Sequence, residues 1–176
     1  MTQQPSESQG VEIGKLLKEI QLGLAKAQEG LVSAHVPLFL KSATLNLVAE
    51  AKQGIDGTIN LFIVTFGKKW EKALTQEIEI TLTPPKKLPQ SLRGQTLIGD
   101  ELAKAVVSAG LGIHESQLDP SVPLVASCLR VVISCVVAGT DHGGLSFKIL
   151  PVKADLGGEL ANAATQKVAV VFESHS

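Results

Sequence analysis

Tyrosine is absent from this 176-residue chain, and aromatic residues make up only 3% of it, with a single tryptophan, Trp70. Binders of single-stranded nucleic acid stack bases on aromatic side chains, and that equipment is nearly missing here. An excess of one charge is missing too. The formal net charge is -1, so no strong pull on nucleic acid or an anionic membrane is expected. No apolar run approaches the ~18–20 residues that span a bilayer. The longest candidate, LRVVISCVVAG, is interrupted by Arg130 and Ser134. The opening decapeptide, MTQQPSESQG, has no basic segment followed by an apolar one, so it does not read as a secretory signal. The expectation is a cytoplasmic protein with a polar, disordered tail over residues 1–10.

Cysteine is nearly absent as well. Cys128 and Cys135 stand seven positions apart, an odd number, which puts them on opposite faces of one strand. They are expected to be free and mostly buried thiols. Catalytic signatures are missing: there is no G-x-S-x-G, no phosphate-binding glycine loop, and no C-x-x-C or H-E-x-x-H spacing. His35, His114, His142 and His175 make no ligand-spaced pairs. His114-Glu115 and Asp141-His142 are the nearest approaches to an acid–base pair, and both read as solvated loops or turns. No catalytic residue, metal site or cofactor is expected.

What is present is periodicity. Leu17, Ile20, Leu24 and Ala27 recur at spacings of three and four, predicting an amphipathic helix ending near Gly30. Leu45, Leu47, Ala49 and Ala51 alternate with polar neighbours, which predicts a strand, although Leu- and Ala-rich text also suits helix. QGIDG supplies a turn, TINLFIVTF a second strand, GKKWEKAL a loop, and TQEIEITLTP a third strand closed by prolines. PPKKLPQSLRGQ, with three prolines, two lysines and a glycine, reads as a linker, placed over residues 86–96. The series then restarts. A second helix carries Leu102, Ala105, Val106 and Ala109 on one face, with Asp100 and Glu101 in its first turn. Three strands follow, LRVVISCVVAG, LSFKILPV and TQKVAVVFES.

The two series keep step. Ile13-Gly14 precedes Ile98-Gly99 by 85 positions, Val36-Pro37-Leu38 precedes Val122-Pro123-Leu124 by 86, Gly57 precedes Gly143 by 86, and Thr75-Gln76 precedes Thr165-Gln166 by 90. Ordered anchors at a nearly constant offset indicate an internal duplication. The expected fold is α+β, built from two α-β-β-β repeats over residues 11–85 and 97–176. Each repeat is an antiparallel three-stranded meander with its helix packed on the sheet, and a pseudo-twofold relates the two.

The first repeat resembles the trypsin-co-occurring domain 2 family. The likeness rests on IGKLLKEIQLGLAKAQEG, VPLFLKSATLNLVAEAK, TINLFIVTFG and TQEIEITLTP, in that order, across residues 11–85. The helix opens LLKEIQ, without the arginine usual there. The resemblance implies a non-catalytic adaptor of a bacterial conflict or signalling system. Its partner would be a separate protein, such as a trypsin-like protease or another effector, with self-association as a further mode.

Candidate interface residues follow from the strands and from one loop. LRVVISCVVAG is apolar on both faces, so its second face, with Val132 and Val136, is either covered or an interface. Val171 lies on the diverged face of the last strand. Trp70, among Lys68, Lys69 and Lys72, is either an anchored loop residue or a binding hot spot. A small-ligand pocket or active site between the repeats is the alternative function.

Overall fold

The structure, a computed structural model, describes residues 11–66, 72–84, 97–119, 121, 126–139, 145–150 and 165–174. A two-residue strand β1 (Val11–Glu12) leads into helix α1 (Ile13–Ser33). Strands β2 (Phe39–Gln53), β3 (Ile59–Ile63) and β4 (Thr75–Leu82) follow, with a 3-10 turn (Lys72–Leu74) before β4. Helix α2 (Leu97–Gln117) opens the second half, and strands β5 (Cys128–Gly139), β6 (Leu145–Leu150) and β7 (Thr165–Glu173) complete it.

All seven strands join one antiparallel sheet, ordered β1-β3-β2-β7-β5-β6, with β4 on the far edge of β2. One helix and three strands per half is the expected order. The expected meander is not what forms. β2 pairs with both β3 and β4, and β5 pairs with both β6 and β7. β2 and β5, the strands that follow the two helices, are therefore each central to their half. Alternation assigns a strand its faces but not its neighbours, so the two arrangements look alike in sequence.

The pairing registers of the halves coincide under the sequence offsets. Adding 86 to both members of each β2–β3 pair, from Ala49↔Ile63 to Gln53↔Ile59, gives a β5–β6 pair, from Cys135↔Ile149 to Gly139↔Leu145. Adding 86 and 90 respectively to each β2–β4 pair, from Ala43↔Leu82 to Glu50↔Thr75, gives a β5–β7 pair, from Leu129↔Phe172 to Val136↔Thr165.

The halves meet where β7 pairs with β2 (Leu45↔Val168, Asn46↔Lys167). A twofold axis would require β4 to pair with β5 in the same way. Among the described residues β5 carries β7 on one edge and β6 on the other. The contact is head-to-tail, and the expected pseudo-twofold gives way to it.

One core serves both halves. Alternate residues Ala43, Leu45, Leu47 and Ala49 of β2, Ile133, Cys135 and Val137 of β5, and Val168, Val170 and Phe172 of β7 face it. Leu16, Ile20, Leu24, Ala27 and Leu31 of α1 and Leu102, Ala103 and Val106 of α2 cover that face. Burying such side chains contributes about 1.5–3 kcal/mol for each large one, which is why the Leu- and Ala-rich β2 sits as a strand beneath the helices.

The helices pass close together. A Cβ at Gly30 would stand 2.8 Å from Val107 Cγ2, and one at Gly110 would overlap the Leu31 side chain. Lys26 Nζ donates to Asp100 Oδ1 at 2.6 Å across the same crossing. Gly30 is thus reserved for Val107, and α1 runs past it. The helix ends in a Schellman motif instead, with Val36 N–H donating to Leu31 O and His35 N–H to Val32 O. His35 takes the left-handed position at φ 58.

Candidate interaction surface

The expected interface residues separate on the structure. Trp70 lies outside the described residues, as do the pair Asp141-His142 and the linker over residues 86–96. Val132 is 51% exposed on the sheet face opposite the helices. Val171 is half-buried on the same face, in the strand beside it, and pairs with Arg130. Val136 does not join them: it is 0% exposed. The segment after β3 reaches β5 at this level, where Phe66 N–H donates to Val137 O at 2.7 Å. The open patch is therefore Val132 and Val171 around Arg130, at the N-terminal end of β5.

His114 and Glu115 lie in the last turns of α2 rather than in a loop. Cys128 and Cys135 are both free, but Cys128 is exposed, contrary to the expectation of mostly buried thiols. Cys135 is fully buried, and burial pushes its thiol well above the ordinary range. A nucleophilic cysteine needs the opposite setting. No cluster of three or more metal-ligating side chains occurs among the described residues, and no described helix is long and apolar enough to cross a membrane.

The line between the halves is closed rather than cleft, and Gln166 closes it. This side chain is 1% exposed. Its Oε1 accepts from Val48 N–H at 2.6 Å, and its Nε2 donates to Val64 O at 3.2 Å. β7 covers β2 as far as Asn46 and β3 covers it from Ala49. Gln166 fills the gap between them as a substitute for backbone. Gln28, 5% exposed, does the same between α1 and the start of β2, donating to Leu38 O and accepting from Leu40 N–H. Neither role was read from the sequence. The repeated Thr-Gln was the one visible signal for Gln166.

On α2, Ala103, Lys104, Val107, Ser108 and Leu111 line an open depression of about 380 Å³. It is predominantly apolar, and its lining offers one ammonium and one hydroxyl. That chemistry suits contact with another surface better than the fixing of a small polar ligand.

Two strand edges remain open among the described residues. No strand pairs with the outer edge of β4, or with the N-terminal half of β5 on its β6 side. Each presents apolar residues that are only partly covered, Ile78, Ile80 and Leu82 on β4, Leu129 and Val131 on β5. Glu77 and Glu79 stand exposed on the other face of β4, and Arg130 on that of β5. No family model matches the chain, and no curated protein and no solved structure matches it.

Proposed function

We propose that this chain is a non-catalytic protein-interaction adaptor that engages its partner by strand addition. The observation that carries the reading is the outer edge of β4, open among the described residues from Gln76 to Leu82, where Ile78, Ile80 and Leu82 alternate with Glu77, Glu79 and Thr81. An unpaired edge of this length offers a row of free backbone donors and acceptors, and its side chains select the partner. The resemblance over residues 11–85 names the class of partner, a separate protease or other effector of a bacterial conflict or signalling system. The two halves are read as duplicated copies of one α-β-β-β unit. The coincidence of their pairing registers supports that reading.

The test is photocrosslinking in the native cell. A photoreactive amino acid at Thr81, on the exposed face of β4, is expected to give a discrete product with a protein other than this chain. That product should vanish when Glu79→Pro breaks the edge, while a probe at the exposed loop residue Ile55 gives none. The same products from Thr81 and Ile55, or none from Thr81, would overturn the reading.

A further inference from the structure

The contact between the halves is a template for a second contact that one chain leaves unmade. In the first, the outer edge of β7 lies on the N-terminal half of β2, with Leu45↔Val168, Thr44↔Ala169 and Ser42↔Val171 as partners. β2 corresponds to β5 under the offset of 86, and β4 corresponds to β7 under the offset of 90. The same contact written once more puts the outer edge of β4 on the N-terminal half of β5. Its partners are Val131↔Ile78, Arg130↔Glu79 and Cys128↔Thr81. Those are the two edges left open among the described residues.

We infer that a second copy of this chain makes that contact, with β4 of one molecule pairing on β5 of the next, head-to-tail. The inference deepens the proposed function and rests on its reading of the open edges as working surface. Three independent features fit it. First, the residues that would be covered are half-buried, whereas their counterparts in the made contact are closed. Val168 and Val170 are 0% exposed, and so is Leu45. Ile78, Ile80 and Val131 are only partly covered.

Second, the charges match. Arg130 and Glu79 are both exposed and carry opposite signs. Directly opposed opposite charges across a strand pair stabilise it, and they also fix its register.

Third, the inference accounts for Gln76. Its counterpart Gln166 plugs the gap at Val48 and Val64. The corresponding position in the second half is Ser134, where the β5–β6 ladder ends in the pair Ser134↔Leu150. Gln76 is exposed in the single chain, and in the paired molecule it would meet the backbone of Ser134. A Thr-Gln that stands at the seam in one half thus stands at the equivalent seam in the other, between molecules. A head-to-tail contact of this kind repeats until it closes into a ring or extends as a filament.

The purified full chain, under reducing conditions, is the material for the test. Light scattering across a wide concentration range should give a mass above one chain that falls on dilution. Glu79→Arg and Arg130→Glu should each weaken self-association by on the order of fivefold, and the double reversal should restore it. Restoration also shows that the single variants fold. For register, Thr81→Cys with oxidised glutathione should form an intermolecular disulfide to Cys128, lost in Cys128→Ser, while Glu77→Cys should not crosslink to it. A chain of monomer mass throughout overturns the inference. So does an assembly indifferent to both reversals, or equal crosslinking from positions 77 and 81. A monomer that still crosslinks to a different protein in cells would sink the homotypic contact and leave the adaptor standing.

Discussion

The side chain of Gln166 stands in for a missing strand residue beside Val48, accepting its N–H at 2.6 Å while donating to Val64 O. The gap it fills arises because β7 and β3 share one edge of β2 and do not meet. Without the amide, a part-buried N–H and a buried carbonyl lose their partner, and each such loss costs about 1–3 kcal/mol. Gln166→Ala is therefore expected to destabilise the chain by about 2–4 kcal/mol in urea denaturation. Gln76→Ala, at the equivalent but exposed position, should change the stability of the dilute chain by less than about 0.5 kcal/mol. Equal losses from the two variants would contradict the role assigned to Gln166.

Two glycines of α2, two residues apart, should respond in opposite directions to the same change. A Cβ at Gly110 would overlap the Leu31 side chain, and Leu31 is 0% exposed. Overpacking of this kind costs about 1–3 kcal/mol, which exceeds the gain of up to about 1 kcal/mol from replacing a helical glycine by alanine. At Gly112 nothing stands within 4 Å of the added atom, so only the gain remains. Gly110→Ala should lower the thermal midpoint and Gly112→Ala should raise it.

Periodicity made the elements legible because burial against one helical layer imposes it. Leu45, Leu47 and Ala49 of β2 are buried, as their alternation required, and Ala51 is half-buried. The offset of 86 even carried the pairing register of β3 over to β6. What stayed hidden depends on contacts between distant segments. Gly30 reads as a helix stop, yet it lies within α1 because Val107 of α2 occupies the space above it. Val136 and Val132 lie on one face of β5, yet only Val132 is exposed, the segment ending at Phe66 having crossed to β5 near Val136. The candidate face was legible, but which strand edge stands open was not. An edge exists only by the absence of a neighbour, and no residue pattern within a strand records its neighbours.

His35 holds the αL position of the Schellman motif that ends α1, with φ 58. A side chain there costs roughly 1–2 kcal/mol, and glycine is free of it. Glycine also brings a looser unfolded chain, which returns part of the gain. His35→Gly should therefore stabilise the protein by about 0.5–1 kcal/mol. His35→Val should destabilise it, since a β-branched residue fits this conformation worst. Chemical denaturation of the two variants beside the parent chain measures both.

Cys135 gives the protein an alkaline limit. Burial raises its thiol above the ordinary value of 9.0, so the folded chain keeps a proton that the unfolded chain releases once the pH passes that value. The unfolded state then binds fewer protons than the native one, and stability falls with rising pH. Below pH 9 the contribution is fully present. Above it the loss approaches about 1.4 kcal/mol per pH unit for the single proton. Comparing the denaturation midpoints of the parent chain and Cys135→Ala from neutral to alkaline pH isolates this effect. The variant starts lower, because the truncated side chain leaves a cavity among Ile133, Val137 and their neighbours, but its midpoint should decline less steeply above pH 9. Thiol titration provides an independent check at neutral pH: Cys128 is exposed and Cys135 buried, so one thiol should react with a disulfide reagent in the folded chain and the second only on unfolding. Two thiols reacting at the same rate, or parallel alkaline declines in the two proteins, would remove Cys135 as the source of the limit.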